Sequence, residues 1–280
     1  MTPAQQERIQ ALCTEFRLPT IGAEVVKRFQ ADQQGPALKT LLAVFELEAS
    51  DRRQRRVDRL RRASKLPAGK IWENLDRSRF PAKLQQQLEE LATGRFVDRA
   101  TNVLAFGLPG TGKTHAMAAV ADRLIEQRRS VLFVPTFKLV QDLLAAKRDL
   151  DLPRALRKLD HFEVLILDDL GYLKQRADEA EVLFTLIAER YERRSIIVTS
   201  NLVFSQWEEI FQSPMATAAA IDRIVHHSVI TEFDVSSYRT AEATASQASP
   251  GPRGSMRPTR ENNTQQTPGA RTRRKTGVKR

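Results

Sequence analysis

Apolar and polar positions change their arrangement twice along the chain. Through residues 1–80 the chain is rich in helix formers, and neither Gly nor Pro occurs between Pro36 and Pro67. That composition predicts helix, with breaks at Gly22, Gly35, Pro36 and Gly69. Residues 81–96 predict a further helix, opened by Pro81 and closed at Gly94. From 97 to 240 short apolar runs alternate with helical stretches. The runs are NVLAF (102–106), VLFV (131–134), VLILDDL (164–170), SIIVTSN (195–201) and SVITEFDV (228–235). The helices between them run through about 129, from about 136, and over about 178–193. β-Branched runs without alternation belong to strands covered on both faces, so the pattern predicts an α/β fold with a parallel sheet between layers of helices. Residues 241–280 hold only Met256 and Val278 as sizeable apolar side chains, too few to fold. Three parts follow: a helical domain, 1–80, an α/β domain, 81–240, and a disordered tail, 241–280.

Charge sharpens that division. The 280 residues carry a net +11, and the excess sits in two places. Residues 51–62 hold seven Arg against two Asp, and residues 241–280 hold nine Lys+Arg against two Glu. The rest of the chain is close to neutral, so the pattern predicts a neutral body with two basic handles for a polyanion. A single cysteine, Cys13, excludes an internal disulfide and a cysteine-built zinc site. The first residues lack the apolar block of a signal peptide, and no apolar run reaches the length of a membrane span. A cytoplasmic protein with no membrane partner is expected.

The residues 107–114, GLPGTGKT, match the phosphate-loop spacing GxxxxGK[ST], with an apolar run before and a helix after. Gly107, Pro109, Gly110, Thr111 and Gly112 would let backbone N–H groups wrap phosphates at a helix N-terminus. Lys113 would reach the β- and γ-phosphates of ATP, and Thr114 would bind Mg²⁺. VLILDD then brings two carboxylates to a strand's carboxyl end, where open α/β sheets bind ligands. Asp168 is expected to hold Mg²⁺ and Asp169 to orient the attacking water. Asn201, just past the next strand, is expected to touch that water or the γ-phosphate.

GLPGTGKTH, LILDDLGYL, RYERRSIIVTSN, DRIVHHSVI and SYR, in that order, resemble the IstB-like ATPases, AAA+ helpers of insertion-sequence transposases that are similar to bacterial helicase loaders. FRLP and FELEASDRRQRR resemble the start of the same family, so the likeness covers about residues 15–240. It implies an AAA+ P-loop sheet in the order 5-1-4-3-2, a slow, DNA-stimulated ATPase, self-assembly on double-stranded DNA, and a transposase partner. It also implies roles. Asn201 matches the first sensor, Arg223 the arginine finger acting in trans on a neighbouring copy, and Arg239 the arginine sensor near the γ-phosphate. Arg190, Arg193 and Arg194 are rival fingers. Many AAA+ proteins place Glu where this chain has Asp169, which is one methylene shorter, so binding of ATP is better supported than fast turnover. The alternatives are a replicative helicase loader and a DNA-binding scaffold that holds ATP with little hydrolysis.

Within 51–62, Arg52, Arg53, Arg55, Arg56, Arg59 and Arg62 are the candidate DNA contacts. On a helix Arg52, Arg56 and Arg59 share one face, and Arg55, Arg59 and Arg62 an overlapping one. Such contacts fix a protein on phosphates without reading sequence. Asp51 and Asp58 are too few to neutralise them. His226 and His227 are adjacent, and on a helix they diverge by about 100°, a poor arrangement for one metal. Trp72, Trp207 and Cys13 are expected to serve packing.

Overall fold

A computed structural model describes residues 2–171, 176–211, 213–235 and 237. Helices α1 (Pro3–Glu15), α2 (Pro19–Ala31) and α3 (Gly35–Ser64) come first, followed by α4 (Ala82–Ala92) and the short α5 (Arg95–Asp98). Then strand and helix alternate: β1 (Asn102–Phe106), α6 (Lys113–Glu126), β2 (Val131–Pro135), α7 (Thr136–Arg148), α8 (Leu152–Asp160), β3 (Val164–Leu170), α9 (Ala177–Arg190) and β4 (Ser195–Ser200). The short α10 (Glu208–Phe211), α11 (Pro214–Val225) and β5 (Ser228–Glu232) complete the described elements.

The five strands form one parallel sheet in the order β2-β3-β4-β1-β5, which is the 5-1-4-3-2 order read from the other edge. Its two faces bury different residues of the same strands. Leu104, Phe106, Leu132, Val134, Leu165, Leu167, Ile196 and Val198 face a layer built from α7, α9 and α11. Val103, Ala105, Val131, Phe133, Val164, Ile166 and Ile197 face a layer built from α4 and α6. A strand turns successive side chains to opposite faces, so two helical layers demand the unbroken apolar runs seen in the sequence. Helix α6 buries the run Ala116, Met117, Ala118, Ala119, Val120 and Ala121. Its small side chains let the helix that starts at the phosphate loop lie close beneath the sheet.

The helices before the sheet have their own apolar clusters. Ile9, Cys13, Val25, Val26 and Leu38 form one, and Leu12, Phe16 and Ala49 form another. Thr2 and Gln5 make a reciprocal capping box at the start of α1. Helix α3 continues past these clusters, and its Val57 and Leu60 pack on the α6 side of the sheet. There Arg61 donates to Asp122 Oδ1 of α6 at 2.7 Å. The sequence reading finds α3 whole but leaves α8 unassigned, and it runs the last strand to 235 where β5 stops at Glu232. Arg239 and the tail 241–280 lie outside the described residues. Among the described residues no helix is long and apolar enough to cross a membrane.

Candidate nucleotide site

The loop after β1 turns on three glycines. Gly107, Gly110 and Gly112 have φ of 152°, 83° and 94°, values that a β-carbon disfavours. At Gly107 an added Cβ would also lie 2.6 Å from the Phe233 carbonyl oxygen, so the chain passes too close to the end of β5 for any side chain. Gly112 then opens α6 without a side-chain cap, which leaves the first helical N–H groups directed into the loop. Lys113 is only 6% exposed. Its ammonium donates to the Gly107 and Leu108 carbonyls at 2.7 and 2.8 Å, holding a cation inside the loop. The Thr111 hydroxyl donates to Leu108 O at 2.9 Å, tightening the same turn.

The acidic element stands on a bulge. The pairing of β3 with β4 slips between Leu167 and Leu170, and Asp169 lies in the left-handed region at φ 56°. The Thr199 hydroxyl fixes both carboxylate residues. It accepts from the Asp169 N–H at 2.9 Å and donates to Asp168 Oδ1 at 2.7 Å. The Thr136 hydroxyl donates to the Asp168 carbonyl at 2.9 Å. The two neighbouring acids therefore part company: Asp168 is 8% exposed, whereas the Asp169 side chain faces solvent. Burial pushes the Asp168 carboxyl above the usual carboxylate range, against a hydrogen bond from Thr199, and the Asp169 charge raises it further. The Thr114 hydroxyl and the Lys70 ammonium oppose the rise.

Asn201 is exposed and follows Ser200, which pairs with Phe106 at the root of the phosphate loop. Loop, Asp168 and Asn201 therefore share the carboxyl edge of the sheet. His115, next along α6, carries a buried Nε2 that has no partner among the described residues. Burial first and the Lys70 ammonium second hold its pKa below the ordinary value. Thr199, Thr136 and Lys70 are the residues near this site that sequence reasoning missed, whereas the sequence predicts that His115 packs or caps beside the loop. A Thr inside the apolar run SIIVTSN is the one local signal that pointed to any of them. The residues present fit a magnesium nucleotide: glycines that bare N–H groups, a buried cation for phosphate, and a hydroxyl beside a carboxylate for the metal.

Because the Asp168 pKa is raised, the folded state binds that proton more tightly than the unfolded chain. The contribution of this one group is then most favourable at acidic pH and falls as pH rises through the window above the ordinary value of 3.8. Asp168→Asn removes this penalty. Above that window the variant should melt higher than wild type in the absence of nucleotide, by about 2–4 °C per kcal/mol regained, and should lose Mg²⁺-dependent turnover. Calorimetry paired with a phosphate-release assay checks both, and a lower melting temperature contradicts the assignment.

The other predicted residues lie elsewhere. Arg223 is half-buried on α11, 5.0 Å over the Phe184 ring, and donates to Ala219 O at 3.0 Å. Arg190 is 1% exposed and donates to the carbonyls of Leu159, Phe162, Glu163 and Ser195, which removes it as a rival finger. Arg193 is paired with Asp160 at 2.9 Å. On α3, Arg52 and Arg55 reach Glu48 at 2.5 and 3.6 Å, and Arg52 also lies over the Phe16 ring. The carboxylates near the arginine run thus include one from outside it. Arg53 is half-buried; Arg56, Arg59 and Arg62 are exposed and have no ion-pair partner among the described residues.

Three comparisons bear on this site. The family described as IstB-like ATP binding protein matches residues 14–246. A Sinorhizobium fredii protein named as an insertion-sequence ATP-binding protein is 42% identical over 242 residues, covering 85% of this chain and 81% of the relative. The corresponding protein of insertion sequence IS5376 in Geobacillus stearothermophilus is 33% identical over 239 residues, 85% of this chain and 95% of the relative. Among solved structures, the replication initiator DnaA bound to AMPPCP and single-stranded DNA shares the fold, with a TM-score of 0.52 at 15% identity over 61% of this chain and 52% of that one.

Proposed function

The chain belongs to the IstB-like ATP-binding protein family of insertion sequences, and from that premise we propose that it is an ATP-dependent DNA-binding regulator of transposition. It takes up Mg²⁺·ATP, assembles with further copies of itself on duplex DNA, and recruits or activates a transposase. Residues 1–80 serve DNA or a partner, 81–240 the nucleotide, and 241–280 add basic charge. The observation that carries the reading is one chain joining two devices: a phosphate loop beside a buried Asp168, and a ridge of exposed arginines on α3 docked to the helix that starts at that loop.

The proposed roles divide the chemistry. The loop N–H groups and Lys113 bind the phosphates. Thr114 and Asp168 would hold the metal, which would supply positive charge to the phosphate oxygens. Asp169 and Asn201 orient the water, and Arg239 meets the γ-phosphate. Arg223 of a neighbouring copy stabilises the negative charge that develops on the phosphate oxygens as the γ-phosphate is transferred. The solvent-facing, shorter Asp169 supports slow turnover, as a switch requires.

Light scattering with ATP or ADP, each with and without random-sequence duplex, tests this. A large species formed only with ATP and duplex is expected. Arg223→Ala should keep ATP binding and lose assembly. Replacing Arg56, Arg59 and Arg62 together by Ala should weaken duplex binding and make the slope of log K against log salt shallower by about 2–3. A wild-type monomer in every condition overturns the assembly and leaves a helicase loader or an ATP-holding scaffold.

A further inference from the structure

At the opposite, amino-terminal edge of the sheet, two connections meet. One is the turn from α9 to β4, carrying Tyr191 and Glu192, and the other is His226-His227 between α11 and β5. Helix α11 ends at Val225 with His226 as its C-cap, still at helical dihedrals (φ −49°, ψ −39°), and the His226 and His227 ring centroids nevertheless lie 4.2 Å apart. Adjacency on a helix predicts awkward joint chelation, and the closeness of the two rings is the ground for treating them as a pair. Glu192, His226 and His227 each bring a ligand atom within 4.8 Å of the other two, and His227 Nε2 is 3.7 Å from Glu192 Oε1. Their backbones are fixed. The His226 N–H donates to Asp222 O at 2.9 Å, and the His227 carbonyl accepts from the Asn102 N–H of β1 at 2.7 Å. Glu192 sits in the left-handed region at φ 55°, a conformation that costs a non-glycine residue and is concentrated at functional positions.

We propose that Glu192, His226 and His227 form a binding site for a divalent transition-metal ion of the zinc class, completed by water. Two imidazoles and one carboxylate are a borderline-soft donor set that suits Zn²⁺ and Co²⁺ and offers little to Mg²⁺. Tetrahedral ligation with bonds of about 2.0–2.2 Å places donors roughly 3.3 Å apart. The observed separations therefore close by small rotations of exposed side chains. The Tyr191 hydroxyl lies 3.2 Å from His226 Nδ1, the outer contact that commonly orients a ligating ring. The adjacent Arg193 is occupied by Asp160 and Glu189. A bound ion ties the turn after α9 to the end of α11, three residues beyond Arg223, and needs neither the nucleotide nor DNA.

The test is Co²⁺ titration of the full chain without nucleotide in millimolar Mg²⁺, followed by visible absorbance. About one Co²⁺ per chain with the intense bands of tetrahedral coordination is expected, displaced by Zn²⁺. His226→Ala and His227→Ala should each weaken binding by more than the roughly 10- to 100-fold that loss of an outer contact costs. Glu192→Gln, which keeps the turn's size, should weaken it too. All three residues are exposed, and far-ultraviolet circular dichroism confirms that each variant is folded. No tetrahedral cobalt spectrum in wild type, or binding undiminished in both histidine variants, overturns the site.

Discussion

Lys113→Ala is expected to cut ATP turnover by about 10²- to 10³-fold and to abolish ATP-driven assembly, while the chain remains folded. The size of the effect follows from where the ammonium lies. It is enclosed in the loop, bonded to two loop carbonyls at 2.7 and 2.8 Å, at the start of a helix whose dipole is already positive at that end. A phosphate entering the loop meets a fixed charge that needs no reorganisation, and such charges act most strongly where water is excluded. The substitution also strips the Gly107 and Leu108 carbonyls of their ammonium donor. Lys113→Met removes the ammonium and its two hydrogen bonds but keeps most of the apolar stem, so it separates the loss of the charged donor from the loss of packing. If charge is what matters, Met and Ala fail alike in phosphate release. Turnover within threefold of wild type in either variant contradicts the assignment of this loop as the phosphate site.

Much of this was open to reading in the sequence, for physical reasons that differ from place to place. β1 and β3 match their apolar runs because both faces of a central strand must be apolar. The loop was legible because it needs Gly where φ is positive and Lys where a cation enters. Helix α8 was not, although Leu152, Leu156 and Leu159 recur at helical spacing. Its Pro153 looks like a break but stands in the first turn, where the missing N–H costs nothing. Pairings across the fold left no local mark. Nothing near Arg61 in sequence announces Asp122, and nothing in VLILDD tells that Thr199 will bury one carboxylate and leave the other in water. The same limit governs the arginines: composition counts them, but only packing says which are solvated and which hold the core together.

Arg190 shows how far that distinction reaches. Its sequence neighbours Arg193 and Arg194 make it look like part of a charged surface, yet its guanidinium is buried and binds four carbonyls at 3.0–3.3 Å. Those carbonyls come from the end of α8, the residues before β3, and the first residue of β4. One planar cation therefore joins three elements, adding a donor to the Leu159 and Glu163 carbonyls, which also accept from the Phe162 and Ser195 N–H groups, and supplying one to the Phe162 and Ser195 carbonyls. Burial pushes its pKa down to about 10, which still leaves it charged at neutral pH. Arg190→Ala should cost roughly 3–5 kcal/mol, since it removes four charge-assisted bonds that tie these elements together and opens a cavity. For a chain of this size that lowers the melting temperature by about 10 °C or more. Arg190→Lys should recover part of the loss, because an ammonium carries charge but cannot reproduce the fork. Arg223→Ala, half-exposed and bonded to one carbonyl of its own helix, should melt within about 2 °C of wild type. Scanning calorimetry of the three variants decides between structure and catalysis at these positions. A stable Arg190→Ala chain that had lost only ATP hydrolysis would restore it as an arginine finger.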